Sequence, residues 1–243
     1  MNTLAIIGIA FVLGFTPGIF WLWFFYKRDK IEPEPKSLVI KVYILGIAVA
    51  IPVLLVQIPF LGLPSAILAI VFAPIVEEFF KYFAVRKTVY TFKEFDEPMD
   101  GIVYAAAIAL GFASIENFFY LYEAIVGDNL WGVFFLRALL TVPGHVLFSA
   151  MWGYALGMTK FSDDSPVKKR KIVRRGVILS MVLHSVFNVC AVIFPIGAVG
   201  LLVVVPVFWI MLHKRIKTAL KISPHLHVLE NSEAFDIHIH HKE

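Results

Sequence analysis

The chain has 243 residues, of which 59% are hydrophobic and only 16% charged, with a formal net charge of +4 and a mean hydropathy of +0.80. Soluble domains carry about 25% charged and about 45–50% apolar residues, so this composition excludes an ordinary soluble domain. The single cysteine, Cys190, excludes a disulfide framework and a cysteine-based zinc site, and the positive balance reads as basic membrane-flanking loops rather than nucleic-acid binding.

Seven apolar segments follow one another, at about 3–25, 39–58, 64–84, 101–122, 130–157, 174–194 and 196–213. Each is long enough to cross a hydrocarbon layer of ~30 Å as a helix, the only single-segment form that satisfies its own backbone in lipid. The first segment has no basic residue before its apolar run and no small-residue cleavage site after it, so it reads as a retained span rather than a signal peptide. Lys27, Arg28, Lys30 and Lys36 follow it. Pro59 and Pro64 mark a short turn between the second and third segments, and Arg86, Lys87 and Lys93 follow the third. The basic run from Lys160 to Arg175 follows the fifth segment, Pro195 separates the sixth from the seventh, and Lys214, Arg215 and Lys217 come after the seventh. The alternate connections carry no lysine or arginine. The positive-inside rule then places the N-terminus outside and the C-terminus in the cytoplasm. The expected fold is an all-α integral membrane bundle of about seven helices, with residues 1–220 as one domain. Residues 221–243, including His238, His240 and His241, are expected to form a polar, solvated tail.

Ionisable groups inside spans cost at least ~2.5–3.5 kcal/mol near the centre, so each needs a reason. The third segment carries Glu77, Glu78 and Lys81, and the fourth Glu116 and Asn117. The fifth carries His145, in a four-residue stripe with Arg137, Thr141 and Ser149, and the sixth carries Ser180, His184 and Asn188 at the same spacing. Residues four apart share a helix face. Turning these faces inward builds one polar intramembrane cavity. Carboxylates and imidazoles in a low-dielectric pocket suit water activation, and an amide beside a histidine can donate to a developing oxyanion. Glu78 with Lys81 reads equally well as a structural ion pair, and Arg137, near the end of its segment, is expected to snorkel to the interface.

Glu77-Glu78-Phe79-Phe80-Lys81 resembles the EExxK motif of the PrsW family of membrane proteases, and Phe112-Ala113-Ser114-Ile115-Glu116-Asn117 resembles its FxxxEN motif. His145 and His184-x-x-x-Asn188 resemble its later histidine motifs, and Arg28 to Pro35 its RDKxEPEP stretch. The wider clan includes the type II CAAX prenyl proteases. The resemblance implies an intramembrane endopeptidase of the bacterial cytoplasmic membrane that makes the site-1 cut in a single-pass anti-sigma factor during regulated intramembrane proteolysis. Carried over by motif, Glu77 is the base, and His184 with Asn188 stabilises the oxyanion. Relative to the CAAX pattern, Lys81 stands in place of an arginine one position later, and Glu116 in place of a histidine. His145 is then a candidate for the missing imidazole. Metal-free hydrolysis and a divalent metal such as zinc held by Glu77, Glu116, His145 and His184 both stay open, as do an ion-coupled transporter and a non-catalytic scaffold of the same clan.

Overall fold

The computed structural model describes residues 2–193 and 196–226, and among them there is no β-strand. The chain runs through α1 (Thr3–Tyr26), α2 (Lys36–Gln57), a 3-10 turn (Ile58–Phe60) and a short α3 (Ser65–Ile67). A π-turn (Leu68–Phe72) leads into α4 (Ala73–Lys87), which is followed by α5 (Pro98–Val126) and α6 (Leu130–Leu136). A second π-turn (Arg137–Thr141) leads into α7 (Val142–Lys160), followed by α8 (Pro166–Val192) and α9 (Ile196–Lys221).

Six of these rods are long and apolar enough to cross a membrane: α1, α2 with its 3-10 turn, α5, α6 running into α7, α8 and α9. The protein is therefore multi-pass. The seventh expected span, at 64–84, is helical but falls short of that measure. Its regular part, α4, is 15 residues long and holds Glu77, Glu78, Lys81, Arg86 and Lys87. Several rods also extend past the apolar stretches seen in sequence, because their polar first turns continue the helix: α8 starts at Pro166, capped by Ser165.

The centre of the bundle is α5, buried without interruption from Pro98 to Ser114. Its flank toward α2 is built on small residues. A Cβ on Gly46 would strike the Ile108 carbonyl, and one on Gly111 would strike the Tyr43 carbonyl, so the two backbones touch directly. Tyr43 Oη then donates to Ser114 Oγ at 2.6 Å, which fixes the register of the pair.

The two π-turns have a common local cause. Each is followed at once by a helix with proline in its first turn, Pro74 in α4 and Pro143 in α7. The Ala73 N–H reaches back to the Leu68 carbonyl, and the Val142 N–H to the Arg137 carbonyl, the five-residue step of a π-turn. The next acceptors in line, Ala69 and Ala138, would need an N–H from Pro74 and Pro143, and proline has none. Side chains from other helices fill the gap: Asn188 Nδ2 donates to the Ala69 carbonyl at 2.7 Å, and Trp21 Nε1 to the Ala138 carbonyl at 2.8 Å. Both turns lie one helical turn before the polar residues Glu77 and His145, so they set the rotation of those side chains.

All the basic connections lie at one end of the bundle, with the ends of α1, α4, α7 and α9 and the starts of α2, α5 and α8. Residues 223–226, the beginning of the expected tail, pack against this end. Ser223 is buried and donates to Glu97, and His225 Nε2 lies 3.1 Å from Asp96 Oδ1. Pro195, His238, His240 and His241 lie outside the described residues.

Candidate active site

Glu77 and Glu78 are adjacent in sequence but have different surroundings. Glu78 is wholly buried, and both of its oxygens are held. Oε2 accepts from Ser149 Oγ at 2.7 Å, Ser180 Oγ at 2.7 Å and Trp152 Nε1 at 3.1 Å, while Oε1 accepts from Lys81 Nζ at 3.0 Å. The His184 Nδ1 atom lies 3.3 Å from the same Oε1 without forming a directed hydrogen bond. A carboxylate so fully occupied positions its neighbours and has no lone pair aimed at a substrate. Glu77 accepts only from Lys81, at 3.2 Å, and it faces the cavity.

Lys81 Nζ also sits 3.2 Å from His145 Nδ1 and 4.1 Å from the centroid of the Phe112 ring. An ammonium can only donate, so Nδ1 of His145 is the acceptor and the ring proton is on Nε2. That proton points at Glu116 Oε2, 2.9 Å away. Arg137 holds the same oxygen: one of its terminal nitrogens donates to Glu116 Oε2 at 3.1 Å, and Nε donates to Asn117 Oδ1 at 2.7 Å. Arg137 is buried and lies over the Tyr120 ring, so the expectation that it snorkels to the interface is corrected. The second π-turn directs it inward, where Glu116 and Asn117 give its guanidinium two acceptors.

The sequence-predicted residues thus divide into two layers. Glu77, Glu116, His145, His184 and Asn188 line a cavity of about 1060 Å³, while Glu78, Lys81 and Asn117 stand behind it. The cavity runs between α2, α4, α5, α7 and α8 and reaches Gln57, Leu61, Ser65, Val133 and Val192, at the end of the bundle opposite the basic loops. The broken third segment therefore opens the acid-bearing region toward that opposite end.

Glu77, His145 and His184 each offer one donor atom, and the three atoms lie within 4.8 Å of one another. One carboxylate and two imidazoles with room for a further ligand are the donor set of a catalytic zinc site; the residues present fit a metal if the ion takes the His145 Nδ1 lone pair in place of Lys81, with Nε2 still held by Glu116. The charge count agrees, because three carboxylates face only two fixed cations, Lys81 and Arg137. Glu116, expected as a fourth ligand, is outside this trio because Arg137 and His145 hold its oxygen. Sequence reasoning missed Trp152, whose signal was its place three residues beyond Ser149 on the stripe that carries His145.

Comparison with known proteins gives the family. Residues 34–211 match the model of a family described as PrsW family intramembrane metalloprotease. Among curated proteins, the chain is 38% identical over 180 residues to Protease PrsW of Geobacillus kaustophilus, covering 72% of this chain and 76% of that one. It is 34% identical over 210 residues to Protease PrsW of Oceanobacillus iheyensis, covering 85% and 94%. Against Protease PrsW of Bacillus subtilis it is 32% identical over 179 residues, covering 72% and 79%. No solved structure matches the chain. With a family model matched over residues 34–211 and curated relatives at 38% and 34% identity along most of both chains, the chain belongs to the PrsW family of intramembrane metalloproteases.

Proposed function

We propose that this protease cuts a single-pass, anti-sigma-factor-type membrane protein on the side opposite its basic loops, at a site where Glu77 takes the proton of the attacking water. The observation that carries this reading is the convergence of Glu77, His145 and His184 within 4.8 Å at a cavity that reaches the non-basic end of the bundle. By the positive-inside rule that end is extracytoplasmic, which puts the N-terminus outside and the C-terminus in the cytoplasm. A metal held by His145, His184 and one oxygen of Glu77 would polarise the scissile carbonyl and lower the pKa of a bound water, with the second Glu77 oxygen left to take the proton.

The chain's own residues have distinct tasks. Glu77 accepts the water proton and returns it to the leaving amine, as a general base and then a general acid. Lys81 and Glu78 fix the position of Glu77 and His184. Asn188 has two amide hydrogens, one engaged by the Ala69 carbonyl, which leaves the other for the oxyanion. Glu116 and Arg137 orient His145 through its Nε2 proton. The apolar walls from α2 and α5 exclude bulk water and accommodate a transmembrane segment of the substrate. Co-expression with a tagged single-pass anti-sigma factor, in a host without its own homologue, tests the assignment. Wild type should release a fragment and Glu77→Gln should not. Equal fragment from both would remove Glu77 from the reaction.

A further inference from the structure

A second group of acids lies at the basic end of the bundle, away from the catalytic cavity. Asp29 and Glu34 come from the α1–α2 connection, Glu97 caps α5, and Asp100 is in the first turn of α5. All four are buried, Asp29 at 3% exposure and the others at 0%. Each uses one oxygen on a protein donor. Asp29 Oδ2 accepts from the Glu34 N–H at 3.1 Å, and Asp100 Oδ2 accepts from the N–H groups of Asp96 and Glu97 at 2.6 and 2.7 Å. Glu34 Oε2 accepts from Tyr104 Oη at 2.5 Å, and Glu97 Oε2 accepts from Ser223.

In every case the other oxygen is buried with no partner: Asp29 Oδ1, Glu34 Oε1, Glu97 Oε1 and Asp100 Oδ1. Among the described residues none of the four is in an ion pair with a lysine or arginine. Lys160, the nearby lysine, directs its ammonium to the carbonyls of Tyr90 and Phe95, at 2.9 and 2.6 Å. Asp29, Glu97 and Asp100 each bring an oxygen within 4.8 Å of the others. Two oxygens on opposite sides of a calcium-sized ion, each at about 2.3–2.6 Å, are separated by that order of distance.

We infer that these carboxylates form a binding site for a hard, oxygen-seeking divalent cation of the Ca2+/Mg2+ class. The ion takes the free oxygens of Asp29, Glu97 and Asp100, with Glu34 beside them, and so clamps the α1–α2 loop, the start of α5 and the segment after α9. An all-oxygen donor set without imidazole or thiolate selects against zinc, which separates this site from the histidine-bearing one. Without a cation the group must hold protons. Burial, with added repulsion from neighbouring carboxylates, pushes Asp29 and Glu34 up to about 8. Glu32, Asp96, His225 and Lys160 are the other charged groups around the cluster.

The full-length protein in detergent, stripped by chelator at about pH 8, is titrated with Ca2+, Mg2+ and Mn2+ while its thermal unfolding is followed. For an ion at 100 times its dissociation constant, the midpoint should rise by roughly 5–10 °C. The same rise is expected in His184→Ala, whose catalytic donors are incomplete, and its loss is expected in Asp100→Asn. Equilibrium dialysis of wild type should show one tightly held ion per chain, a readout that stands even if Asp100→Asn folds poorly. No rise with any of the three ions, or a rise that disappears with His184→Ala and persists with Asp100→Asn, would overturn the site. Stabilisation by acid alone, with no bound ion in dialysis, would also overturn it in favour of shared protons.

Discussion

The mid-membrane site and the acidic cluster at the basic end both bury several carboxylates, yet they neutralise them in opposite ways. In the membrane, Glu78 is held by two serines, a tryptophan and Lys81, and Glu116 by Arg137 and His145. Fixed cations and donors keep these groups in place whatever the medium supplies. At the basic end, Asp29, Glu34, Glu97 and Asp100 have backbone, tyrosine and serine donors but, among the described residues, no paired lysine or arginine, and each leaves an oxygen unanswered there. Burial alone therefore does not mark an active site. The distinction lies in what surrounds the carboxylates: built-in cations and donors hold Glu78 and Glu116 and leave Glu77 with the two histidines for chemistry, whereas the cluster at the basic end has no built-in cation paired with it among the described residues.

The largest expected effect is on catalysis. His184→Ala should lower the cleavage rate by roughly 10²–10⁴-fold, a loss in the folded enzyme that is separate from the stability lost with a buried imidazole stacked on Phe148 at 4.6 Å. Single-turnover cleavage in proteoliposomes measures this, and a rate within a few-fold of wild type would break the assignment. Asn188→Ala should cost about 10²–10³-fold, mostly in kcat, if its second amide hydrogen meets the oxyanion. A change confined to KM would reduce Asn188 to the role of anchoring Ala69.

Glu78→Ala sharpens the contrast between the two adjacent glutamates. Removing it leaves three neutral donors buried without their acceptor and Lys81 with one carboxylate in place of two, and should lower stability by roughly 3–5 kcal/mol. Glu77→Gln, which keeps a hydrogen-bond acceptor for Lys81, should lower it far less. Denaturation of the two variants in the same detergent compares them, and equal losses would erase the distinction between positioning and reacting carboxylate.

At the basic end the effect is on pH dependence. Asp29 and Glu34 sit near 8 in the folded protein against ordinary values of 3.8 and 4.5. Between about pH 4 and pH 8 the unfolded chain has released protons that the folded chain keeps, so stability in chelator should fall as pH rises through this window. A bound divalent cation replaces those protons, so the gap between loaded and chelated protein should widen from about pH 5.5 to pH 8. A gap that stays constant with pH would separate the cation from these carboxylates.

Much of the catalytic region was legible in the sequence because a charge in an apolar run is costly and stands out. Glu77, Glu116, His145 and His184 were visible for that reason, and four-residue spacing put Ser149 and Ser180 on the right faces. Arg137 was misread because depth along a segment ignores both the π-turn that directs it inward and the acceptors, Glu116 and Asn117, supplied by another helix. Trp152 was hidden because an indole in an apolar stretch looks like packing until its N–H is seen on Glu78. The acidic cluster was hidden more deeply. Asp29 and Glu97 lie in polar connections rich in charge, where solvation is the natural reading, and their proximity depends on pairing segments far apart in the chain. Pro74 and Pro143 were in view, but their consequence, two orphaned carbonyls capped by Asn188 and Trp21, exists only in the folded bundle.

In the proposed mechanism Glu77 is the reacting carboxylate of a site completed by His145 and His184. Its most direct test is cleavage of a tagged single-pass substrate by purified wild type and Glu77→Gln reconstituted in proteoliposomes, with both proteins shown to unfold at comparable temperatures. Wild type should give a fragment cut near the substrate's extracytoplasmic membrane boundary, and Glu77→Gln a rate lower by at least roughly 10²-fold. Equal rates for two equally folded proteins would contradict it.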